Sequence, residues 1–283
     1  MKPGKKPWQI GIYEKAMPNE LSWKEKLQIA KTFGYDFLEI SIDETDAKLA
    51  RLKMPAAERL ELLRMVYETG LPIRTMCLSG HRKYPLGSED AAIRTRSLEI
   101  MENAINFACD TGVRIIQLAG YDVYYDPSNP RTEQLFYDGL LQSVQMAAAR
   151  GVILAFETME TGFMNTVEKA MHYVNRINSP YLKVYPDCGN LTNAAKTYGT
   201  SEIEDLHKGR GSIAALHLKE TFPGKFREIP YGTGHVNFGA FIKTALELNV
   251  RTFVTEFWYT GEADFRETIK TSKAFIDAQF ACL

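Results

Sequence analysis

The chain has 283 residues, of which 45% are hydrophobic, and this is enough to bury one large core or two small ones. The formal net charge is −1, so the composition offers no surplus of positive charge to favour binding to DNA or to an acidic membrane. No stretch approaches the roughly 20 apolar residues of a membrane span, and no signal peptide is recognisable. The four cysteines are widely spread, without a Cys-x-x-Cys pair, as is typical of reduced thiols. We therefore expect a cytoplasmic protein that binds neither nucleic acid nor membranes.

Eight short apolar runs recur along the chain, and most are almost continuously apolar, as expected of parallel strands covered on both faces. We predict strands at residues 8–13, 37–42, 73–79, 114–120, 152–157, 182–187, 213–219 and 252–258. Helical patterns with start and stop signals lie between most of these strands. The predicted helices cover residues 22–34, 55–70, 88–112, 132–151, 166–177, 237–249 and 262–280.

The regular alternation of strands and helices predicts an α/β protein with the (β/α)8 architecture of a TIM barrel. No composition break or flexible linker divides the chain, so we expect one domain spanning residues 1–283. A doubly wound open sheet usually carries a glycine-rich fingerprint after its first strand, and "GIYEKAMPNE" contains none. In such barrels the functional residues lie at the carboxyl ends of the strands, so we expect the catalytic and binding residues at those ends.

Four consecutive predicted strands, the fifth to the eighth, end in or near ionisable side chains. These residues are Glu157, Asp187, His217 and Glu256. Three carboxylates close together would repel one another and raise one another's pKa unless a cation lay between them. Three oxygen donors and one imidazole suit Mn²⁺, Mg²⁺, Co²⁺ or Zn²⁺ and leave positions open for a substrate. A single such residue is usually structural, but four at matching positions predict a site for one divalent metal ion.

Several longer segments carry a family resemblance that runs along the full chain. The most specific are "YPDCGNL", "HLKETFPGKFREIPYGTGHVNF" and "VTEFW", and "IGIYEKAMP", "CLSGHRKYPLGSED", "IIQLAGYDVYY" and "FETMETGFMNT" add to them. The chain resembles the xylose-isomerase-like TIM barrels, a group that includes ketose 3-epimerases and the endonuclease IV type of DNA-repair enzyme. Within that group it is similar to the L-ribulose-5-phosphate (L-xylulose-5-phosphate) 3-epimerases of bacterial L-ascorbate catabolism.

The resemblance implies a metal-dependent isomerase that interconverts L-xylulose 5-phosphate and L-ribulose 5-phosphate. The four strand-end residues would hold the metal, and Glu157 and Glu256 would also act as the acid and base. Epimerisation at C3 requires removal of a proton next to the C2 carbonyl, an enediolate, and reprotonation on the opposite face. Two glutamates from strands three places apart can flank such a substrate. The family also implies a homodimer.

Other residues are expected to contact the substrate. Asn190 occupies a place where sugar epimerases of this group often have a histidine, although it could instead cap the following helix. Arg227 resembles an arginine of the group that reaches the substrate or a metal-bound water, although it could be a solvated loop residue. For the phosphate, the candidates are His81 and Arg82 after the third strand and Lys15 after the first.

Alternative functions remain open at this stage. An aldose–ketose isomerase, such as a hexulose-6-phosphate isomerase, would use the same enediolate and the same glutamates, and only the resemblance favours C3. The substrate could also be an unphosphorylated ketose. An endonuclease IV-like enzyme would need more histidine ligands than five histidines readily supply, together with a basic groove. A non-catalytic sugar-binding barrel is disfavoured by the complete acid–base pair.

Overall fold

A closed ring of parallel strands forms the centre of the computed structural model, which describes residues 6–282. The strands are β1 (Gln9–Tyr13), β2 (Phe37–Ile42), β3 (Ile73–Leu78), β4 (Ile115–Ala119), β5 (Ile153–Glu157), β6 (Leu182–Tyr185), β7 (Leu216–Leu218) and β8 (Thr252–Thr255). Hydrogen-bonded neighbours follow the order β6-β5-β4-β3-β2-β1-β8-β7, with every pair parallel. The predicted (β/α)8 barrel and all eight predicted strands are confirmed.

The ring closes between β6 and β7 through a few bonds rather than a regular ladder. Isolated parallel bridges join Val184 to Ile213 and Asp187 to His217. Here the backbone N–H of His217 donates to the carbonyl of Pro186 over 2.9 Å. Every other neighbouring strand pair shares a register of three or more residues. The seam between β6 and β7 is therefore the most sparsely bonded part of the barrel.

Helices connect the strands and cover the outside of the barrel. They are α1 (Trp23–Thr32), α2 (Asp46–Ala50), α3 (Ala56–Thr69), α4 (Ala91–Thr111), α5 (Pro130–Arg150), α6 (Val167–Ile177), α7 (Cys188–Tyr198), α8 (Glu202–Lys208), α9 (Phe238–Glu247) and α10 (Phe265–Ala281). All seven predicted helices are present, and α1 begins with the capping box expected of Ser22 and Glu25. Within residues 6–282, none of the helices combines the length and the apolar character needed to cross a membrane.

The sequence patterns missed α2, α7 and α8. The helix α7 has the sequence "CGNLTNAAKTY", in which Gly, Asn and Thr have low helix propensity. Tertiary contacts outweigh this propensity, because eight of its residues are buried and the Asp187 side chain accepts a hydrogen bond from the backbone N–H of Asn190 at its start. The helices α2 and α8 span only five and seven residues, too few for a hydrophobic period to emerge.

Successive side chains of each strand point alternately outward and inward, and they form two separate buried layers. One set of side chains, such as Leu38 and Ile40 of β2, packs between the barrel and the helices. The other set points into the barrel, where Phe37, Tyr185 and Val254 belong to a smaller apolar cluster. This inward set also carries polar residues, and they become denser toward the carboxyl ends of the strands.

Candidate metal and active site

The four strand-end residues meet at the carboxyl rim of the barrel. Glu157 is the last residue of β5, Asp187 lies two residues after β6, His217 is in β7, and Glu256 follows β8 directly. All four side chains are buried, and their ligand atoms lie within 4.8 Å of one another. Within residues 6–282 this is the one group of three or more such side chains close enough to share an ion. The structure thus brings together the complete predicted metal-ligand set.

The imidazole of His217 presents one nitrogen to the three carboxylates. Its Nδ1 lies 3.1 Å from Oε2 of Glu256, 3.7 Å from Oε1 of Glu157 and 4.0 Å from Oδ2 of Asp187. Its Nε2 points the other way, toward the barrel interior. Nδ1 is therefore the nitrogen placed to act as a ligand.

One oxygen of Asp187 supports a cation site in the cluster. Its Oδ1 accepts from the backbone N–H of Asn190 over 2.7 Å and lies 3.2 Å from Nζ of Lys219. Its Oδ2 is buried, faces the cluster, and has no hydrogen-bond partner among the residues that the structure describes. A buried carboxylate oxygen without a donor is unfavourable, because its hydration is lost without replacement. The donor set and this oxygen fit a divalent cation.

The two glutamates have pKa values shifted in opposite directions. Burial, followed by repulsion from Glu256, raises the pKa of Glu157 above its ordinary value. Burial alone would raise the pKa of Glu256 as well, but the adjacent Lys219 and His217 outweigh it and lower that pKa. Glu157 is therefore more readily protonated than an ordinary glutamate and Glu256 less readily, and such opposite shifts are typical of an acid–base pair.

Lys219 is a site residue that the sequence analysis missed. It is buried, and its Nζ lies 3.2 Å from Oδ1 of Asp187 and 3.5 Å from Oε2 of Glu256. The signal was present, because Lys219 lies two residues after His217 and strand periodicity turns both side chains to the same side. A lysine at the end of an otherwise apolar strand is expensive to bury unless it meets opposite charges.

Glu39 is the second residue that was missed. It lies in the middle of β2, is fully buried, and its Oε1 is 2.6 Å from Nε2 of His217. It is the one charged residue of the strand "FLEISI" and has the inward-pointing parity of Phe37. Its position in the middle of a strand, away from the strand ends, explains why it was not predicted as a site residue.

A cavity of about 90 Å³ opens next to Glu157 and Glu256. Four of the five predicted substrate contacts line it, namely Lys15, Arg82, Asn190 and Arg227. The side chains of Trp258, Phe226 and Met159 form apolar parts of the same wall. Cations and apolar surface thus surround the two glutamates, as in a pocket for a small charged ligand.

Asn190 lines this cavity and has one acceptor without a partner in the described part of the chain. Its Nδ2 donates to the backbone carbonyl of Thr158 over 2.7 Å, which fixes the orientation of the amide. Its Oδ1 is buried and lacks a hydrogen-bond partner within residues 6–282. The alternative of a helix cap is wrong for Asn190, because Asp187 is the N-cap of α7. Asn190 therefore offers an oxygen that can accept from a hydroxyl group.

The cations at the mouth of the cavity have acidic or aromatic neighbours. Nζ of Lys15 lies 2.7 Å from Asp43, and Nη2 of Arg227 donates to Glu160 over 3.0 Å. The guanidinium carbon of Arg82 lies 4.7 Å from the centre of the Tyr124 ring. The buried Nε of Arg82 makes no hydrogen bond to the described part of the chain. Arg82 thus keeps donors for a further partner.

His81 does not lie with the other predicted substrate contacts. Its side chain is buried and does not line the cavity, and its Nε2 lies 3.2 Å from the carbonyl oxygen of Ser97 in α4. Burial lowers the pKa of His81 to about 4, so the imidazole is neutral near pH 7. The expectation that His81 contacts a phosphate is therefore not supported by its position, because the short turn after β3 directs its ring toward α4.

The fold and the site together define a (β/α)8 barrel whose carboxyl rim carries a donor set that fits a divalent cation. A family model described as the xylose isomerase-like TIM barrel matches residues 27–277. The chain belongs to this family.

Two individual relatives align with nearly the whole chain. L-ribulose-5-phosphate 3-epimerase UlaE of Escherichia coli O139:H28 is 43% identical over 273 residues, which cover 96% of this chain and 95% of the relative. The protein of the same name from Escherichia fergusonii shows the same identity and coverage. The resemblance drawn from the sequence is confirmed by these relatives.

Solved structures of epimerases share the fold. The E. coli 3-keto-D-glucoside 4-epimerase YcjR has a TM-score of 0.78 at 19% identity and covers 96% of this chain and 99% of its own. A structure of L-ribulose 3-epimerase has a TM-score of 0.76 at 16% identity and covers 97% of this chain and 95% of its own. At these identities the similarity concerns the arrangement of the backbone.

Proposed function

We propose that this protein is a metal-dependent 3-epimerase that interconverts L-xylulose 5-phosphate and L-ribulose 5-phosphate. The observation that carries the proposal is the convergence of Glu157 and Glu256 on one cavity from β5 and β8. Asp187 and His217, from the two intervening strands, lie between them. The relatives named L-ribulose-5-phosphate 3-epimerase support this choice of substrate and carbon.

The two glutamates perform the proton transfers. Glu256, whose pKa is lowered although burial opposes it, is ionised and removes the proton from C3. Glu157, whose pKa is raised by burial and by Glu256, returns a proton to the opposite face of the enediolate. In the reverse direction the two residues exchange roles. A divalent ion held by the four ligands would polarise the C2 carbonyl and stabilise the negative charge that develops there.

Neighbouring side chains hold the substrate and the charges in place. Oδ1 of Asn190 accepts from a sugar hydroxyl, because Asn190 lines the cavity and this oxygen has no partner within residues 6–282. Lys219, 3.5 Å from Glu256, keeps that carboxylate ionised. Arg227 lies at the cavity mouth with its guanidinium held by Glu160, where it can contact the substrate.

The phosphate of the substrate requires positive charge at the cavity. Lys15 and Arg82 supply it from the segments after β1 and β3. Arg82 suits this role well, because a guanidinium binds phosphate with several donors and its Nε is not engaged by the described residues. The phosphate would displace part of the contact between Lys15 and Asp43.

A solvent-exchange experiment tests the proposal. The metal-loaded protein and the variant Glu157→Gln are incubated with L-xylulose 5-phosphate in D₂O and followed by NMR. In the wild type we expect deuterium at C3 together with L-ribulose 5-phosphate. In the variant we expect the loss of L-ribulose 5-phosphate, because the opposite face is no longer protonated, whereas Glu256 can still exchange the C3 proton of the substrate. Deuterium at C1 with an aldose product would instead identify an aldose–ketose isomerase. No exchange would refute the phosphorylated substrate and direct the same assay to unphosphorylated ketoses.

The remaining expectations stay predictions. They are a homodimer and a place in L-ascorbate catabolism, which the resemblance implies, and a cytoplasmic location, which the sequence composition suggested. Size-exclusion chromatography with light scattering would test the first of them.

A further inference from the structure

The carboxylate of Glu39 connects four strands inside the barrel. Its Oε1 lies 2.6 Å from Nε2 of His217 in β7. Its Oε2 accepts from the hydroxyl of Thr75 in β3 over 2.6 Å and from that of Tyr185 in β6 over 2.9 Å. A fully buried carboxylate is unfavourable unless its oxygens are hydrogen-bonded or paired with charge. Each oxygen of Glu39 has at least one donor, so the carboxylate is held in one position.

This contact determines which nitrogen of His217 carries the ring proton. Oε2 of Glu39 already accepts from two hydroxyl groups, and Oε1 lies within hydrogen-bond distance of Nε2, so the geometry makes Nε2 the donor to Glu39. Gln117 does not compete, because its Nε2 lies 3.2 Å from both ring nitrogens and favours neither. Glu256 also approaches Nδ1, at 3.1 Å, but the contact with Glu39 is shorter and lies outside the ligand cluster. The Glu39 contact therefore persists when Glu256 binds a cation.

We propose that Glu39 is a positioning residue for the metal site, which holds His217 as the Nε2-protonated tautomer with the Nδ1 lone pair directed at the cation. The inference rests on the metal site of the proposed function and deepens it. Carboxylates that accept from a ligating imidazole fix the ring orientation and raise the basicity of the ligand. Glu39 does both from a position that neither the cation nor the substrate touches.

The test measures metal affinity in the absence of any sugar. The wild-type protein, Glu39→Gln and a control variant are stripped of metal and titrated with Mn²⁺ in competition with a chromophoric chelator. Glutamine keeps the shape of the side chain and an acceptor oxygen but removes the charge, and the hydroxyls of Thr75 and Tyr185 can rotate to accept from its amide. Removal of such an outer partner lowers metal affinity by roughly 10–100-fold.

The matched control is Asp205→Asn. Asp205 is also a buried carboxylate, but it accepts from the backbone N–H groups of Val167 and Glu168 outside the barrel. We expect it to retain the Mn²⁺ affinity of the wild type even if it unfolds at a lower temperature. Unchanged affinity in a folded Glu39→Gln variant would overturn the inference, and so would an equal loss in both variants.

A second measurement on the wild type keeps the inference testable if Glu39→Gln does not fold. With Zn²⁺ and ¹⁵N-labelled histidine, NMR distinguishes the metal-bound nitrogen from the protonated one. We expect Nδ1 of His217 to bind the zinc and Nε2 to carry the proton, and the reverse assignment would refute the proposal. Failure of the wild type to bind Mn²⁺ or Zn²⁺ would overturn the metal site together with this inference. Absence of epimerase activity with these binding results intact would overturn only the proposed reaction.

Discussion

Replacement of Glu14 by glutamine should strongly destabilise the folded protein. Glu14 follows β1 and is fully buried, with Oε1 lying 2.8 Å from Nζ of both Lys26 and Lys48. Its Oε2 lies 2.8 Å from Nη1 of Arg51 and accepts from the backbone N–H of Ser41 over 2.9 Å. The variant would leave three cations together, two of them buried, without the anion that compensates them. Removal of one partner from a buried ion pair costs about 3–5 kcal/mol.

The pKa of Glu14 independently indicates a stabilisation of similar size. Burial tends to raise it, but Arg51, Lys26 and Lys48 outweigh burial and lower it from 4.5 to about 2. A shift of this size corresponds to roughly 3 kcal/mol of stability. Because the folded pKa is the lower one, this stabilisation is fully present above pH 4.5 and is lost as the pH falls toward 2.

Urea unfolding followed by circular dichroism at 25 °C would measure the effect. The control is Glu99→Gln, since Glu99 also pairs with two cations, Lys53 and Arg96, but on the surface. Exposed pairs contribute about 0–1 kcal/mol, so the control should remain close to the wild type. A loss below about 1 kcal/mol for Glu14→Gln at pH 7 would refute the reasoning. The reasoning would also be refuted if the difference in unfolding free energy between Glu14→Gln and the wild type did not decrease as the pH falls below 4.5.

Three further predictions concern single side chains. Asn190→Ala should lower kcat/KM by roughly 5–10-fold, because one hydrogen bond to a hydroxyl contributes about 1 kcal/mol; unchanged steady-state kinetics would contradict its place in the site. Arg82→Met should raise KM for the ketose phosphate far more than it lowers kcat, and should leave weak turnover of the unphosphorylated sugar unaffected. Burial lowers the pKa of His81 from 6.5 to about 4, so the free energy of unfolding of the wild type should decrease as the pH falls from 6.5 to about 4. His81→Gln should flatten that loss in urea titrations, whereas exchange of the exposed His207 for glutamine should not.

The barrel was predictable because its signals are local and repeated. Apolar strands recur eight times, capped helices and glycine stops recur in most of the units, and parallel strands place their carboxyl ends on one rim. Glu157, Asp187, His217 and Glu256 could be found from the sequence because each lies at or near a strand end. The α7 helix could not, because burial and the Asp187 cap rather than propensity stabilise it.

The part of the site that was missed depends on contacts between distant strands. Glu39 and His217 are 178 positions apart, so nothing near either residue predicts their contact. The alternation of side chains along a strand predicts part of the site, since it places both Glu39 and Lys219 on the side that faces the barrel interior. His81 shows the opposite error, because its basic neighbours suggested a phosphate contact and only the turn after β3 directs it to Ser97.

The sparse seam between β6 and β7 has a consequence for the stability of the barrel. Asp187 and His217 pair directly across it, and both are proposed ligands of the same ion. A cation held by both would therefore act as a cross-link at the point where the sheet has the fewest hydrogen bonds. Binding would slow local opening there, so loading with metal should slow the exchange of amide protons in β6 and β7 more than it slows exchange in the well-paired β2 and β3. A bound ion would then have two roles, because it would assist the proposed reaction and also link β6 to β7 in the barrel.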